Sequence, residues 1–182
     1  GQQWLDFSAN INPLGMPATV KQAIIKNLDT LVHYPDPQGR LLKQGIADWH
    51  RVGREQVVLG NGAAELFYVY FHFLRPQRVL LPVPSFSEYE KAARAAGAEV
   101  KYFYLKAEEE FRLNFVKLVK EMQGCQAVVL GNPNNPTGTL WQKAELKAML
   151  AAAAELNVTV MVDESFLGFL QDQAAYSVAD LA

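Results

Sequence analysis

Residues 127–138 read Ala127-Val128-Val129-Leu130-Gly131-Asn132-Pro133-Asn134-Asn135-Pro136-Thr137-Gly138. The first four are continuously apolar, which is typical of a strand that is buried on both faces of a parallel sheet. The next eight contain three asparagines, two prolines and two glycines and therefore predict a rigid polar loop. Ligands of such sheets bind beyond the carboxyl ends of the strands. This loop is therefore a candidate binding element.

The same succession of apolar strand, polar turn and helix extends on both sides of this stretch. Strands are predicted over residues 56–59, 78–82, 99–105, 126–130 and 158–163, and helices over residues 41–50, 63–74, 87–96, 115–122 and 143–156. We therefore predict an α/β fold of three layers, in which a largely parallel sheet lies between two layers of helices.

The sequence before residue 40 has a different character. Residues 5–17 predict an extended arm, a short helix begins at about Ala18, and two prolines make residues 33–39 a loop. We therefore predict two parts, an arm with a first helix over residues 1–32 and the sheet domain over residues 33–182.

The composition excludes several classes of protein. The chain has 182 residues, of which 50% are apolar and 20% charged, and a net charge of −2. It can bury a core, and it has neither the roughly 20-residue apolar run of a membrane helix nor a basic surplus for nucleic acid. We expect no secretory signal, no membrane or nucleic-acid partner and no metal site, since the three histidines lie on separate predicted elements. The single cysteine, Cys125, fits a reducing cytoplasm.

Three further strand ends carry candidate ligand groups. Gly60-Asn61-Gly62 opens a helix, where free N–H groups attract phosphate, although a plain glycine turn explains it equally. Phe86 follows a rigid proline pair and either stacks on a planar ring or packs in the core. Asp163 closes an apolar strand, so it either pairs with a cation or caps a helix.

Together these motifs resemble the fold-type-I enzymes that use pyridoxal 5′-phosphate (PLP), in the branch of the histidinol-phosphate aminotransferases. The resemblance rests on Asn132-Pro133-Asn134-Asn135-Pro136-Thr137-Gly138, followed 25 residues later by Asp163-Glu164. It implies that Asn135 hydrogen-bonds the phenolic oxygen of the cofactor and that Asp163 pairs with the pyridine nitrogen. It also implies that Phe86 stacks on the ring and that the backbone of Gly62 and Ala63 holds the cofactor phosphate.

The resemblance also implies a partner subunit. Tyr34 lies in the run His33-Tyr34-Pro35-Asp36-Pro37 and matches the tyrosine that reaches the phosphate in the neighbouring subunit of such enzymes. A homodimer with shared active sites follows from that match.

The first fifteen residues favour one subfamily. Residues 6–15, Asp-Phe-Ser-Ala-Asn-Ile-Asn-Pro-Leu-Gly, resemble the opening of the threonine-phosphate decarboxylases, which act on a small phosphorylated amino acid in cobalamin biosynthesis. In that family the asparagine that matches Asn10 helps to hold the substrate phosphate. Phe166 agrees with this interpretation, because related aminotransferases carry a tyrosine at this position.

The chain departs from the family in one essential respect. The enzymes bind PLP covalently through a lysine downstream of the Asp-Glu pair, whereas the last lysine here is Lys147. The arginine that clamps the substrate carboxylate is absent too. The sequence therefore predicts an incomplete large PLP-binding domain, inactive by itself.

Two other interpretations remain open. One is an aminotransferase that acts on histidinol phosphate or a similar amine. The other is a non-catalytic fragment that at most binds PLP through its phosphate, or a PLP-binding module fused to a regulator.

Overall fold

A computed structural model describes residues 9–181 of the chain, so the predicted arm over residues 5–8 and the resemblance of Asp6, Phe7 and Ser8 lie outside the described residues. Four parallel strands form the sheet. They are β1 (Arg78–Val83), β2 (Glu99–Tyr104), β3 (Ala127–Gly131) and β4 (Thr159–Asp163), in the order β2-β1-β3-β4. The predicted parallel sheet is confirmed.

Six α-helices occur in the described part of the chain. They are α1 (Ala18–Lys26), α2 (Arg40–His50), α3 (Ala63–Leu74), α4 (Ser87–Ala95), α5 (Phe115–Glu121) and α6 (Lys143–Glu155). All six begin within one residue of their predicted starts. Over residues 9–181, no helix is both long enough and apolar enough to cross a membrane.

The contacts within the chain define two units, a first that ends at Leu42 and a second that begins at Lys43. In the first, residues 9–17 form no regular element, α1 follows, Leu28–Val32 is a 3-10 helix and residues 33–39 are a loop. The helix and the loop match the sequence prediction. The second unit contains the sheet and α3 to α6.

Alternate side chains of the central strands point to opposite faces of the sheet, as strand geometry requires. Leu80, Val128 and Leu130 pack in a core with residues of α5 and α6, while Val79, Leu81 and Val129 pack in a second core with residues of α3 and α4. Helices therefore cover both faces, and the predicted three-layer α/β architecture is confirmed.

The strand predicted over residues 56–59 is wrong. Arg54–Gln56 is a 3-10 turn, and residues 57–60 pair with no strand among residues 9–181. Val57 is buried, but Val58 is 63% exposed. A run of β-branched residues has the propensity for a strand, but a strand also needs a neighbour that accepts its hydrogen bonds.

Candidate functional site

Three loops that follow parallel strands meet at one edge of the sheet. In the register of β3 and β4, Gly131 pairs with Asp163, so both strands end at the same level. The next residue continues the connection, because the Asn132 N–H donates to the Asp163 carbonyl at 2.8 Å. The polar loop and the acidic segment are thus fixed to each other by backbone hydrogen bonds.

Residues 132–139, called here the amide loop, are held from one end by Asn132. This side chain is fully buried. Its Oδ1 accepts from the Trp141 N–H at 2.9 Å, and its Nδ2 donates to the carbonyls of Trp141 at 3.2 Å and Tyr176 at 3.3 Å. The Asn132 side chain therefore forms hydrogen bonds with three backbone groups. Because its own polar atoms are satisfied by these bonds, an asparagine can be buried here.

Asn134 holds the other half of the amide loop. Its buried Nδ2 donates to the Pro84 carbonyl at 3.0 Å and to the Thr137 hydroxyl at 2.7 Å. The backbone closes the turn, since Asn134 N–H donates to the Thr139 carbonyl and Gly138 N–H donates to the Asn134 carbonyl. The amide loop is therefore tied to the loop that follows β1.

Asn135 lies between these fixed residues and differs from both. It is partly buried, and its side-chain amide forms no hydrogen bond with another residue of the described chain. A rigid loop thus presents one unused amide at the sheet edge. Of the asparagines in the amide loop, this is the one for which the sequence predicts a ligand.

Asp163 ends β4 with its carboxylate already oriented. Its Oδ1 accepts from the N–H of Ser165 at 2.9 Å and from the Ser165 hydroxyl at 2.5 Å. Its Oδ2 accepts from the Tyr89 hydroxyl at 2.6 Å. No lysine, arginine or histidine of residues 9–181 forms an ion pair with it, so its charge is compensated by neutral donors alone. A partly buried carboxylate in this state suits a cationic ligand atom.

Tyr89 is a site residue that the sequence analysis missed. It lies in the first turn of α4 and is 1% exposed. Burial raises the pKa of the Tyr89 phenol well above its usual range, and the nearby Asp163 carboxylate raises it further. Nothing in the periodicity of α4 separates Tyr89 from an ordinary core aromatic, because its hydroxyl partner lies 74 residues away along the chain.

Phe86 is partly buried in the aromatic cluster at the same edge. Its ring centroid lies 6.4 Å from that of Phe67 and 5.7 Å from that of Tyr89, both in edge-to-face geometry. Phe86 therefore packs against the aromatic core, and its stacking on a cofactor ring stays a prediction.

The glycine turn before α3 provides a different group of donors. Gly62 is the N-cap with φ of +84°, and among residues 9–181 no side chain caps the first N–H groups of α3. The Gly62 N–H itself donates to the Gly60 carbonyl at 2.9 Å. Ala63 and Asp163 line one cavity of about 600 Å³, so the turn and the acidic segment are brought together.

Asn10 and Tyr34 belong to the first unit. Both are exposed, and Tyr34 is exposed over its whole side chain. Their predicted contacts with substrate and cofactor phosphates stay predictions.

Phe166 and Glu164 complete the segment after β4. The Phe166 ring stacks on Phe169 with centroids 6.1 Å apart. The Glu164 carboxylate accepts from the Ser177 hydroxyl at 2.8 Å and the Val178 N–H at 2.7 Å. Glu164 is therefore a structural residue that fixes the chain beyond the site.

Known proteins resemble this chain along nearly its whole length. The family model for aminotransferase class I and II matches residues 2–182. A protein of Caldanaerobacter subterraneus subsp. tengcongensis, named provisionally as a threonine-phosphate decarboxylase, is 41% identical over 95% of this chain and 47% of its own length. The threonine-phosphate decarboxylase of Salmonella typhimurium is 36% identical over 96% of this chain and 48% of its own length.

The solved structures agree on the fold. The crystal structure of the histidinol-phosphate aminotransferase from Clostridium acetobutylicum superposes with a TM-score of 0.86 and 32% identity, over 98% of this chain and 52% of that one. The chain thus spans about half the length of the relatives it matches.

Proposed function

Since this chain belongs to the aminotransferase class I and II family, we propose that it is the N-terminal part of a decarboxylase of L-threonine O-3-phosphate. The family uses PLP as its cofactor. The products are carbon dioxide and (R)-1-aminopropan-2-ol O-phosphate, a step of cobalamin biosynthesis. The proposal includes a cytoplasmic homodimer that shares its active sites.

One observation carries this proposal. The two motifs on which the family resemblance rests, the amide loop and the Asp163 segment, end neighbouring strands at the same level, with Gly131 opposite Asp163. The similarity to the threonine-phosphate decarboxylases supports this reaction among those of the family.

The chemistry of the described side chains fits PLP. A carboxylate without a cationic partner suits a protonated ring nitrogen, a free amide suits the phenolic oxygen, and uncapped helix N–H groups suit the phosphate. When bound, PLP accepts the electron pair that the departing carboxylate leaves on Cα.

The protein residues prepare the site for that chemistry. Asp163 keeps a proton on the ring nitrogen, because its negative charge favours the protonated form. Asn135 donates its unused amide to the phenolic oxygen, and Phe86 covers one face of the ring. Hydrogen bonds orient the Asp163 carboxylate, aromatic packing holds Phe86, and the hydrogen-bonded loop around it holds the backbone of Asn135, which favours a preorganised cofactor site.

The remaining predicted site residues donate hydrogen bonds to the phosphate groups of the cofactor and of the substrate. The N–H groups near Gly62 and Ala63 bind the cofactor phosphate, and Tyr34 of the second subunit reaches the same group. Asn10 binds the phosphate of the substrate. These roles follow from the family resemblance, and mutagenesis of each residue tests them.

Phe166 supports decarboxylation over amino transfer. Its ring stacks on Phe169 and offers no hydroxyl to the phenolic oxygen, unlike the tyrosine of related aminotransferases. The choice between the two reactions also depends on groups that hold the substrate carboxylate, and these belong to the rest of the enzyme. In the family the lysine that binds PLP covalently lies downstream of the Asp-Glu pair, and the last lysine of this chain, Lys147, precedes that pair.

A histidinol-phosphate aminotransferase is the second candidate. It is favoured by the match to the Clostridium acetobutylicum structure, with a TM-score of 0.86. The two candidates use the same cofactor site and differ in the bond that breaks at Cα.

An assay of the full-length protein with PLP separates them. We expect carbon dioxide release from L-threonine O-3-phosphate and no amino transfer from histidinol phosphate to 2-oxoglutarate. Amino transfer without carbon dioxide release would replace the decarboxylase by the aminotransferase, and neither reaction would contradict both.

A further inference from the structure

A short hydrogen bond joins the buried phenol of Tyr89 to the carboxylate of Asp163 at the end of β4. The Tyr89 hydroxyl donates to Asp163 Oδ2 at 2.6 Å, and the residue is 1% exposed. The rest of its ring packs edge-to-face on Phe67, with centroids 5.0 Å apart. A buried phenol with one partner at this distance has no freedom to choose another acceptor.

We propose that Tyr89 is a positioning residue, which holds the Asp163 carboxylate in the orientation that pairs with the ring nitrogen of the cofactor. This inference rests on the proposed function for the identity of the cofactor. Tyr89 touches neither substrate nor cofactor in this role and acts only through Asp163.

Two residues fix the carboxylate, and each binds a different oxygen. Ser165 binds Oδ1 through its N–H and its hydroxyl, while Tyr89 binds Oδ2. The Ser165 contacts are local, and Ser165 itself is exposed. The contact from Tyr89 comes from α4 on a separate part of the fold and prevents rotation of the carboxylate about its Cβ–Cγ bond.

The backbone makes room for this contact at Gly131. A Cβ added there would lie 3.2 Å from the Tyr89 hydroxyl oxygen and 3.2 Å from Cα of Asn134. Since φ at Gly131 is not positive, the lack of a side chain serves the close approach of Tyr89 and of the amide loop rather than an unusual backbone conformation.

The ionisation of Tyr89 is consistent with this role. Burial, the charge of Asp163 and the hydrogen bond all raise the pKa of the phenol, so it remains a neutral donor across the physiological range. Asp163 therefore stays the acceptor of this bond.

The test is Tyr89→Phe in the full-length protein, which removes one oxygen atom from a buried site. Loss of a hydrogen bond to a charged group predicts a dissociation constant for PLP about tenfold higher in apoenzyme titrations. We expect kcat to fall and KM for the substrate to stay unchanged, because Tyr89 contacts no substrate group. The matched control is Tyr102→Phe, whose hydroxyl donates to Glu90 at 2.7 Å away from Asp163 and whose PLP affinity should equal that of the wild type.

A second pair of variants covers the case in which Tyr89→Phe does not fold. Gly131→Ala places a Cβ 3.2 Å from both the Tyr89 hydroxyl and Cα of Asn134 and should weaken PLP binding in the same direction, whereas Gly168→Ala has no atom within 4 Å of its new Cβ and should not. Equal PLP affinity for Tyr89→Phe and Tyr102→Phe, or a lower melting temperature with unchanged affinity, would overturn the positioning role. A wild-type protein without decarboxylase activity, in which Tyr89→Phe still weakens PLP binding, would reject the reaction and keep the positioning role.

Discussion

The amide loop (residues 132–139) and the glycine segment (residues 60–62) both follow short apolar runs and both lead into the site. The amide loop continues a strand of the sheet, and two buried asparagine side chains fix it. The glycine segment continues no strand, and within it the Asn61 N–H donates to the Glu65 carboxylate. One element is fixed by tertiary hydrogen bonds, and the other by a local turn.

This difference agrees with what each element binds under the proposed function. The ring of a cofactor must be oriented within a fraction of an ångström, which requires side chains that are held from several directions. A phosphate group is bound by several N–H groups of a turn and a helix terminus, for which a local backbone conformation suffices. The predictions below test this contrast between tertiary and local fixation.

The largest effect is expected at the acid beside the amide loop. Asp163→Asn removes the negative charge that keeps the ring nitrogen protonated, and loss of one such electrostatic group lowers kcat by about 10²–10³-fold. Carbon dioxide release by the full-length protein measures it. Asp172→Asn is the matched control, because the Asp172 side chain takes part in none of the site contacts. Activity of Asp163→Asn within tenfold of this control would contradict the role of Asp163.

The second effect concerns the stability of the amide loop. Asn132→Ala leaves the Trp141 N–H and two carbonyls without partners in a buried place, which costs about 2–3 kcal/mol of the free energy of unfolding. Urea denaturation of the full-length apoprotein measures the loss. A change below about 0.5 kcal/mol would show that water or a shifted backbone replaces the three contacts.

The sequence predicted the sheet and its helices because continuous apolar runs report directly on burial, as in Val128, Val129 and Leu130. Asp163 is a candidate because it ends an apolar strand, whereas Asn135 is singled out by the family resemblance, and the roles of both stay predictions. The sequence could not predict Tyr89, since a core tyrosine and a tyrosine that binds a carboxylate have the same pattern of neighbours. It also could not distinguish Val57-Val58-Leu59 from a paired strand. The strand propensity of these residues depends on their own side chains, whereas pairing depends on a neighbouring strand elsewhere in the fold.

The third effect concerns Asn135 and distinguishes its role in PLP binding from the structural role of Asn132 in the same loop. Asn135→Ala removes an amide that has no partner in the described chain, so we expect the free energy of unfolding to change by less than about 0.5 kcal/mol. The same change should raise the dissociation constant of PLP about tenfold, since one hydrogen bond to a charged oxygen is lost. Asn132→Ala is the control, because it should lower the free energy of unfolding more than Asn135→Ala does and should change the dissociation constant of PLP less. Equal stability losses in both variants would remove the distinction between a structural and a binding asparagine.

The smallest effect is expected in the glycine segment and concerns conformation rather than contacts. Gly62 has φ of +84° and ψ of 169° with open space around the position of a Cβ, so Gly62→Ala meets no atom but forces alanine into a backbone conformation that is essentially restricted to glycine. This costs at least about 1 kcal/mol. Gly45→Ala is the matched control, because Gly45 lies inside α2, has open space and has no positive φ, so alanine there should stabilise by about 0.5–1 kcal/mol. Thermal melts of the full-length apoprotein therefore should move in opposite directions for the two variants. If Gly62→Ala melted at or above the wild-type temperature, the turn would be free to adopt another conformation, and local fixation of the phosphate donors would be wrong.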